Sequence, residues 1–265
     1  MQPTLTIAIR AARAAGRILM RYLDRVDQLH IQAKSQNDFV SEVDRAAEDA
    51  IIHELRSKYP DHAILAEESG AHGKSDFQWV IDPLDGTTNY LHGFPQFSIS
   101  IALRHRGRLE CGIVYDPLRE EMFTAERGGG AQMNDRRIRV ANRLGLEGAL
   151  IGTGFPFRDQ RQLDTYLAMF RTMILNTAGL RRPGSAALDL AYVACGRTDG
   201  FWELGLAEWD MAAGALLINE AGGTVTDLAG GDRYFQTGNI IGGNLKMHRA
   251  LREALQPHLS PALSA

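Results

Sequence analysis

The sequence has few of the features that mark several large protein classes. Its 265 residues contain only two cysteines, Cys111 and Cys195, so no disulfide framework is available and a reducing, cytoplasmic location is expected. The formal net charge is only −3, which gives no electrostatic reason to expect nucleic acid as the main ligand. A local basic patch is still compatible with that average, so the composition disfavours RNA binding without excluding it.

Long apolar runs are also missing. Arginines between Arg10 and Arg17 interrupt the apolar positions near the N-terminus, where a secretory signal would need an unbroken apolar stretch. The longest nearly uncharged run, 86–103, contains Gly93 and Pro95 and is not expected to span a membrane. There is no internal repeat, no zinc-ligand spacing and no Gly-Lys-Ser/Thr phosphate loop. With 45% hydrophobic and 23% charged residues, the composition is that of a globular protein without a membrane partner.

The order of apolar and polar residues predicts a mixed α/β protein. The predicted helices are 4–27, 41–59, 161–176, 185–195, 208–220 and 246–255. The predicted strands are 63–66, 79–82, 97–104, 109–116, 121–126, 137–141, 149–154, 199–204, 224–227 and 239–242. The polar stretch 33–38 predicts a loop. Because hairpins dominate the first half and β–α alternation the second, we expect an α+β lobe over 1–145 joined to an α/β lobe over 146–265, in one compact unit.

Two aspartates follow the predicted strand at 79–82. Asp82 would end that strand, Pro83 would prevent its regular continuation, and Gly86 would permit a tight turn before Thr87. Carboxylates three residues apart at a strand end suit a hard cation, and the free amides of the turn suit a phosphate. Taken alone, Asp-Pro-x-Asp-Gly is more often a solvated turn than a metal site.

Other acidic residues stand at the ends of predicted elements. Glu67 and Glu68 follow the strand 63–66 and, if the chain is extended there, face opposite ways, so only one can join a given site. Asp210 falls in the first turn of a helix rich in small residues, where complementing the helix dipole is its commoner role. Asp44 is ordinarily a helix-capping residue. Each is weak evidence separately, but their combination requires a common explanation.

The sequence resembles the inositol monophosphatase family, within the wider lithium-sensitive, Mg²⁺-dependent phosphatases, and in particular its bacterial extragenic-suppressor type. The matching segments run in the family's order and cover nearly the whole chain. They are 38–44, Glu67-Glu68-Ser69, 79–92, 184–190 and 208–214 followed by 220–223. The resemblance implies a layered αβαβα sandwich that is usually a homodimer. It also implies a phosphatase that acts on small phosphate monoesters, with myo-inositol 1-phosphate as the first candidate substrate. Tyr90 stands where the family commonly has Phe.

The resemblance also implies a role for each matching residue. Glu67, Asp82 and the Leu84 carbonyl would hold one Mg²⁺, while Asp82, Asp85 and Asp210 would hold a second; a weaker third ion would lie near Glu67. Thr87, paired with Asp44, would orient or deprotonate the attacking water, and the amides of Gly86 and Thr87 would contact phosphate. The residues implied to line the polyol pocket are Gly184, Ser185, Ala186, Glu203 and Asp210. Lys34 and Asp38 fall where the family has a mobile loop over the metals.

Charge supports the metal assignment. Glu67, Asp82, Asp85 and Asp210 would together repel a phosphate monoester, and two or three Mg²⁺ ions would reverse the sign of such a site. Two metals would activate a water and steady the leaving oxygen. No residue pair calls for a covalent phosphoenzyme, so direct attack by water is expected.

Two alternatives remain open. One is the same chemistry on histidinol phosphate, fructose 1,6-bisphosphate or a nucleotide 3′-phosphate, with the pocket around Glu203 deciding between them. The other is an added binding role, because the extragenic-suppressor relatives are associated with RNA polymerase and ribosomal-RNA transcription complexes. That association rests on the resemblance alone.

Overall fold

A computed structural model describes residues 3–25, 31–35, 38–156, 160–260 and 263, with the backbone alone for 31–35 and 38–40. The α-helices within these residues are α1 (Pro3–Leu23), α2 (Glu42–Arg56), α3 (Thr87–Leu91), α4 (Leu163–Asn176), α5 (Ala186–Ala194), α6 (Glu208–Glu220), α7 (Tyr234–Thr237) and α8 (Leu245–Leu255). Short 3₁₀ turns cover Gln160–Gln162 and Gln256–His258.

The strands of the described residues form three sheets. They are β1 (Ile31–Ser35), β2 (Asp38–Ser41), β3 (Ala63–Ala66), β4 (Gly70–His72), β5 (Phe77–Asp85), β6 (Ser98–His105), β7 (Arg108–Asp116), β8 (Glu121–Glu126), β9 (Gly130–Met133), β10 (Arg136–Arg137), β11 (Leu150–Thr153), β12 (Gly179–Arg181), β13 (Gly200–Glu203), β14 (Thr224–Thr226) and β15 (Ile240–Gly243). A two-stranded ribbon pairs β1 with β2, an eight-stranded sheet has the order β10-β9-β8-β7-β6-β5-β3-β4, and a five-stranded sheet has the order β12-β11-β13-β15-β14.

The first outer layer consists of α1 and α2. Both are amphipathic and bury one apolar face against the eight-stranded sheet, in a core that includes Leu19, Ile51 and Trp79. The start of α2 is fixed by a capping box, in which the Ser41 side chain accepts from the helix backbone and Asp44 accepts from the Ser41 amide. Only β3 and β5 are parallel neighbours in this sheet; the other neighbouring pairs in it are antiparallel.

Helices α5 and α6 form the central layer, between the two large sheets. Their close approach requires small residues. A methyl group on Gly214 in α6 would lie 2.4 Å from Leu190 Cβ in α5. A methyl group on Gly112 in β7 would lie 3.0 Å from Ala213 Cα, on the other side of α6. The run Ala212-Ala213-Gly214 is therefore the reason that α6 fits between a helix and a sheet.

The five-stranded sheet and the outer helices α4 and α8 complete the molecule. In this sheet β12, β11 and β13 are parallel, whereas β15 is antiparallel to both β13 and β14. A third apolar core, including Tyr166, Trp202 and Met247, lies between this sheet and the two helices. The layer order is thus helix, sheet, helix, sheet, helix, which confirms the expected αβαβα sandwich.

Several local predictions are wrong. The stretch 33–38 is not a loop over its described residues, since Ala33–Ser35 belong to β1 and Asp38 to β2; a two-stranded ribbon is held by main-chain pairing and needs no alternating apolar face. The strand predicted at 137–141 is limited to Arg136–Arg137. After it, Ile138 is buried and Val140 is half-buried outside any ladder, with the Val140 amide donating to the Ala221 carbonyl. The strands β4, β9 and β12 and the helices α3 and α7 are additional to the predicted elements.

The other helices and strands lie within a few residues of their predicted positions. Residue 145 falls in the connection between β10 and β11, and the division into lobes over 1–145 and 146–265 stays a prediction. Among the described residues, no helix combines the length and apolarity that crossing a membrane demands. The cytoplasmic location also stays a prediction.

Candidate active site

A cleft of about 650 Å³ collects residues from distant parts of the chain. The lining comes from the end of β5, the start of α3, the strands β11 and β13, and the first turns of α5 and α6. The cleft lining includes every side-chain metal ligand that the sequence predicted: Glu67, Asp82, Asp85 and Asp210. It also includes Leu84, Gly86, Thr87, Gly184, Ser185, Ala186 and Glu203. Asp44 stands behind the lining, against Thr87.

A strand irregularity places Asp82 and Asp85 in the same site. The prediction that β5 ends at Asp82 is wrong, because the strand continues through Pro83 to Asp85. Residues three apart in a regular strand face opposite sides of the sheet. The pairing of β5 with β6 shifts register between Asp82 and Asp85, and this bulge removes the strict alternation.

Three carboxylates converge at this point. One oxygen from each of Asp82, Asp85 and Asp210 lies within 4.8 Å of the other two, and all three residues are buried. Asp210 comes from the first turn of α6, where its Oδ2 accepts the Ala207 amide at 2.7 Å. Carboxylate oxygens at this spacing match the ligands that hard divalent cations prefer, so the group fits a metal ion.

Burial and mutual repulsion strongly perturb this group. Desolvation, followed by the charges of Glu67, Asp85 and Asp210, raises the pKa of Asp82 well above its ordinary value. Desolvation also raises the pKa of Asp85 to about 6, although hydrogen bonds from Ser185 and the Ala187 amide oppose the rise. Without a cation these carboxyls therefore hold protons at a pH where surface aspartates are ionised. A divalent cation would remove that penalty.

Asp85 also caps a helix from the other half of the chain. Its Oδ2 accepts the Ser185 hydroxyl at 2.5 Å and the Ala187 amide at 2.8 Å, and its Oδ1 accepts the Ala186 amide at 3.3 Å. These amides belong to the first turn of α5, where unpaired N–H groups favour a negative charge. Ser185 thus lines the cleft with its hydroxyl already committed to a carboxylate.

Glu67 lies in the turn after β3, beside the three aspartates but outside their 4.8 Å group. Its amide donates to the Ile81 carbonyl at 3.1 Å, and its carboxyl shares a hydrogen bond with Asp82. Of the neighbouring pair, Glu67 lines the cleft whereas Glu68 does not. Only one of the two therefore lines the cleft, although the segment is a turn and not the extended chain on which that expectation depended.

Thr87 connects the cleft to α2. Its Oγ1 lies 3.1 Å from Asp44 Oδ1 and 3.0 Å from the Leu84 carbonyl oxygen, both acceptors. Burial raises the pKa of Asp44, and hydrogen bonds from Ser41 and Thr87 oppose this. Asp44 is therefore both a capping residue of α2 and the partner of Thr87.

Gly86 gives the turn before α3 its shape. Its φ of +94° is in the left-handed region, and a methyl group there would lie 2.9 Å from the Gln96 carbonyl oxygen. Asn89, one turn later, donates through Nδ2 to the Gln96 and Pro183 carbonyls, both at 2.8 Å. Asn89 therefore fastens α3 to the segment that carries Gly184, a contact that the sequence pattern did not reveal.

Glu203, at the end of β13, also lines the cleft. A methyl group on Gly154 would lie 1.8 Å from Glu203 Oε1, so the glycine leaves the space that this carboxylate occupies. Asp189, in α5, is buried in the same lining; desolvation and then the charges of Glu203 and Asp85 raise its pKa well above the ordinary value. The sequence reasoning missed Asp189 and Arg182 as cleft residues. Their place in the segment 184–190 or just before it was the available signal.

Lys34 and Asp38 are the remaining candidates. Their backbones lie in β1 and β2, and their side chains are outside the described part of the molecule. Their expected role over the metals therefore stays a prediction.

The comparisons with known proteins agree with this geometry. The model of the inositol monophosphatase family matches residues 1–262. The chain is 56% identical over 269 residues to the Nus factor SuhB of Pseudomonas aeruginosa, with 99% of both chains covered. It superimposes on the extragenic suppressor protein SuhB of Bartonella henselae with a TM-score of 0.95, at 46% identity, covering 97% of this chain and 100% of that one.

A second solved structure gives the same result. The inositol monophosphatase of Anabaena (Nostoc) sp. PCC 7120 superimposes with a TM-score of 0.85 at 41% identity, covering 98% of this chain and 97% of that one. With a family match over nearly all of its length and an acidic cleft that fits a metal, this chain belongs to the inositol monophosphatase family.

Proposed function

We propose that this protein is a Mg²⁺-dependent phosphomonoesterase whose main substrate is myo-inositol 1-phosphate. The observation that carries the proposal is the buried group of Asp82, Asp85 and Asp210 in a cleft that Glu203 also lines. An acidic group of this kind cannot accept a phosphate monoester by itself, and a bound cation makes it a phosphate receptor.

The proposed ligand sets are those that the family resemblance implies, and their residues all line the cleft. Glu67, Asp82 and the Leu84 carbonyl would hold one Mg²⁺, and Asp82, Asp85 and Asp210 would hold a second. A third, weaker ion would lie near Glu67. When bound, the metals supply Lewis-acid stabilisation of the transferring phosphoryl group and lower the pKa of water. The number of ions during turnover is part of the proposal and is measurable by metal titration.

Thr87 and Asp44 provide the route for the proton. Thr87 lines the cleft, and its hydroxyl could accept a hydrogen bond from water while it donates to Asp44 Oδ1. Asp44, whose pKa is raised by burial, would hold the proton that leaves the water. The Gly86 and Thr87 amides would contact the phosphate, since Gly86 leads directly into the first turn of α3.

The alcohol end of the substrate would contact Gly184, Ser185, Ala186, Glu203 and Asp210. Glu203 is the most informative of them, because a carboxylate accepts hydrogen bonds from adjacent hydroxyls. We expect Glu203→Gln to raise KM for inositol phosphate by about tenfold while KM for an aryl phosphate changes little. Equal effects on both substrates would contradict this role.

A substrate panel tests the proposed reaction. Phosphate release is measured for inositol 1-phosphate, histidinol phosphate, fructose 1,6-bisphosphate and a nucleotide 3′-phosphate, with and without Mg²⁺ and Li⁺. We expect strict Mg²⁺ dependence, inhibition by Li⁺ and the highest kcat/KM for inositol 1-phosphate. A higher kcat/KM for another of these compounds would leave the proposed phosphatase reaction in place and identify that compound as the main substrate. Asp85→Asn should abolish turnover with the fold retained, and appreciable activity in that variant would refute the metal assignment.

Self-association into a homodimer is the second part of the proposal. Leu163, Leu167 and Ile174 recur on one face of α4, and the last two are 51% and 54% exposed. Such a stripe is more apolar than a solvated helix face requires, which supports a second copy as its partner. Light scattering should find a dimer that Leu167→Glu weakens. Leu245→Glu, at a leucine of α8 that is 69% exposed, is the control.

A second candidate function is binding to a transcription complex. The full-length relative at 56% identity is named a Nus factor, and this name is the observation that favours the role. If binding is independent of catalysis, the Asp85→Asn variant should retain purified RNA polymerase in a pull-down as well as the unaltered protein does. Failure of both proteins to retain the polymerase would contradict this role and leave the phosphatase proposal intact.

A further inference from the structure

The structure contains a buried carboxylate with no role in the site described so far. Glu48, on α2, is 2% exposed and lies outside the cleft lining. Burying an ionised carboxylate is costly unless strong hydrogen bonds compensate for the lost water. Its partners therefore indicate what this carboxylate does.

Both Glu48 oxygens are occupied by one short segment of backbone. Oε2 accepts the Glu68 amide at 2.9 Å, and Oε1 accepts the Ser69 amide at 2.9 Å. These are the two amides that directly follow Glu67. On its other side, the Glu67 amide donates to the Ile81 carbonyl of β5. The turn that presents Glu67 is thus held between α2 and the strand that carries Asp82.

The position of Glu48 on α2 extends this relationship. Asp44 lies four residues earlier and therefore on the same helix face, and it is also buried. Asp44 holds Thr87, at the start of α3, whereas Glu48 holds the Glu67 turn. Two carboxylates one turn apart thus fix two separate loops that meet at the cleft. The capping box at Ser41 and Asp44 fixes the start of the helix that carries both.

We propose that Glu48 is a positioning residue of the metal site, which acts by holding the backbone of the turn 67–69 so that the Glu67 carboxylate faces Asp82. The inference rests on the proposed function, since it assigns Glu67 to the metal. Groups that orient metal ligands typically affect metal affinity by about 10- to 100-fold when they are removed. Glu48 holds its ligand through the main chain rather than the side chain, so an effect near the lower limit is expected.

Glu48→Gln is the test variant. It retains the size of the side chain but presents an NH₂ group to one of the two amide donors, so at least one hydrogen bond is lost. Mn²⁺ affinity, measured by titration without substrate, should fall about tenfold, while kcat at saturating Mg²⁺ should change less than threefold. Asp49→Asn removes the same charge from the next, exposed residue of α2 and should leave both quantities unchanged.

A double-mutant cycle with Glu67→Gln separates positioning from general stability. If Glu48 acts through Glu67, Glu48→Gln should have less than a twofold further effect on Mn²⁺ affinity once Glu67 is altered. Additive effects, or an unchanged affinity in Glu48→Gln alone, would overturn the inference. Glu48→Asp retains the charge but withdraws the carboxylate; it should weaken Mn²⁺ binding in the same direction, and full retention of affinity would also overturn it.

Amide exchange provides a readout that needs no metal. Glu48→Gln should accelerate hydrogen exchange at Glu68 and Ser69 selectively, and equal acceleration throughout α2 would indicate loss of the helix instead and overturn the inference. If the unaltered protein binds no Mn²⁺, the proposed function fails. The exchange rates of the Glu68 and Ser69 amides would then still show whether Glu48 holds the turn 67–69.

Discussion

The Ser185 hydroxyl donates to the Asp85 carboxylate at 2.5 Å, across 100 positions of sequence. This contact makes one residue both a candidate metal ligand and the cap of α5. Burial raises the pKa of Asp85, and the hydrogen bond from Ser185 is the largest of the interactions that lower it. Its strength should therefore influence both metal affinity and the pH at which the site becomes ionised.

Removing that hydroxyl gives the first prediction. Ser185→Ala should raise the Asp85 pKa above its value of about 6, because the charged form loses a hydrogen bond. Metal titrations from pH 5 to pH 8 should show affinity rising with pH, with the midpoint moved to higher pH in the variant and affinity about 3- to 10-fold weaker at pH 6.5. Ser98→Ala is the control, since Ser98 Oγ is 3.4 Å from Asp85, and an effect as large as that of Ser185→Ala would contradict the argument.

The second prediction concerns the metal-free protein. Asp82 is a buried carboxyl whose pKa is raised first by desolvation and then by three acidic neighbours, so its ionised form opposes folding at neutral pH. In the presence of a chelator at pH 8, Asp82→Asn should increase the free energy of unfolding by about 1–2 kcal/mol, measured in urea. In excess Mg²⁺ the order should reverse, because the variant loses a ligand. Asp24→Asn, at an exposed position, should change neither value.

The third prediction uses a glycine to move Glu203. Gly154→Ala places a methyl group where the Glu203 carboxylate lies, and the end of a flexible side chain can yield without disturbing the backbone. KM for inositol phosphate should increase about tenfold, as in Glu203→Gln, with little change for an aryl phosphate. The melting temperature should fall by no more than a few degrees. Gly145→Ala has open space around its added methyl group and is the matched control.

The fourth prediction is a pH dependence of stability remote from the cleft. Burial, followed by the charge of Arg252, lowers the pKa of His248 to about 4. The unfolded chain therefore binds this proton first as the pH falls. The contribution of His248 to stability should be complete above pH 6.5 and be lost between pH 6.5 and pH 4, by about 1–3 kcal/mol.

Urea unfolding across that pH range checks the His248 prediction. His248→Gln keeps a hydrogen-bonding group near the Thr226 hydroxyl, which lies 2.8 Å from His248 Nε2, but cannot titrate. The slope of stability against pH should therefore be shallower in this variant. His53→Gln, at an exposed histidine of α2, should leave the slope unchanged. The same slope in all three proteins would contradict the assignment.

The layer order was expected from the family resemblance. Apolar periodicity was sufficient for most elements, because it records which face of each helix or strand is buried. It failed at 33–38 and 137–141 for a shared reason. The apolar pattern of a segment indicates whether it is buried. Whether the segment joins a sheet depends on which other part of the backbone lies beside it. The bulge between Asp82 and Asp85 was likewise invisible, since it is defined by the partner strand β6.

In the candidate site, too, some features could be recognised from the sequence and others could not. The acidic residues could be recognised from their positions at element ends and from the family resemblance. Their hydrogen-bond partners could not, because Asp85 with Ala187 and Glu48 with Ser69 are contacts between segments far apart in sequence. Such pairs are determined by how the layers pack, which no local pattern encodes.

Because Asp85 caps α5, the two halves of the polypeptide are in direct contact at the cleft. Asp82 and Asp85 come from the eight-stranded sheet, whereas Asp210 and the capped amides come from the segment after residue 145. The proposed ligand set of Asp82, Asp85 and Asp210 is divided between the two halves, so an ion that binds only this assembled set would stabilise the contact between them. Occupancy of that proposed site would in this sense measure tertiary assembly, and any process that separates the halves would release its ion.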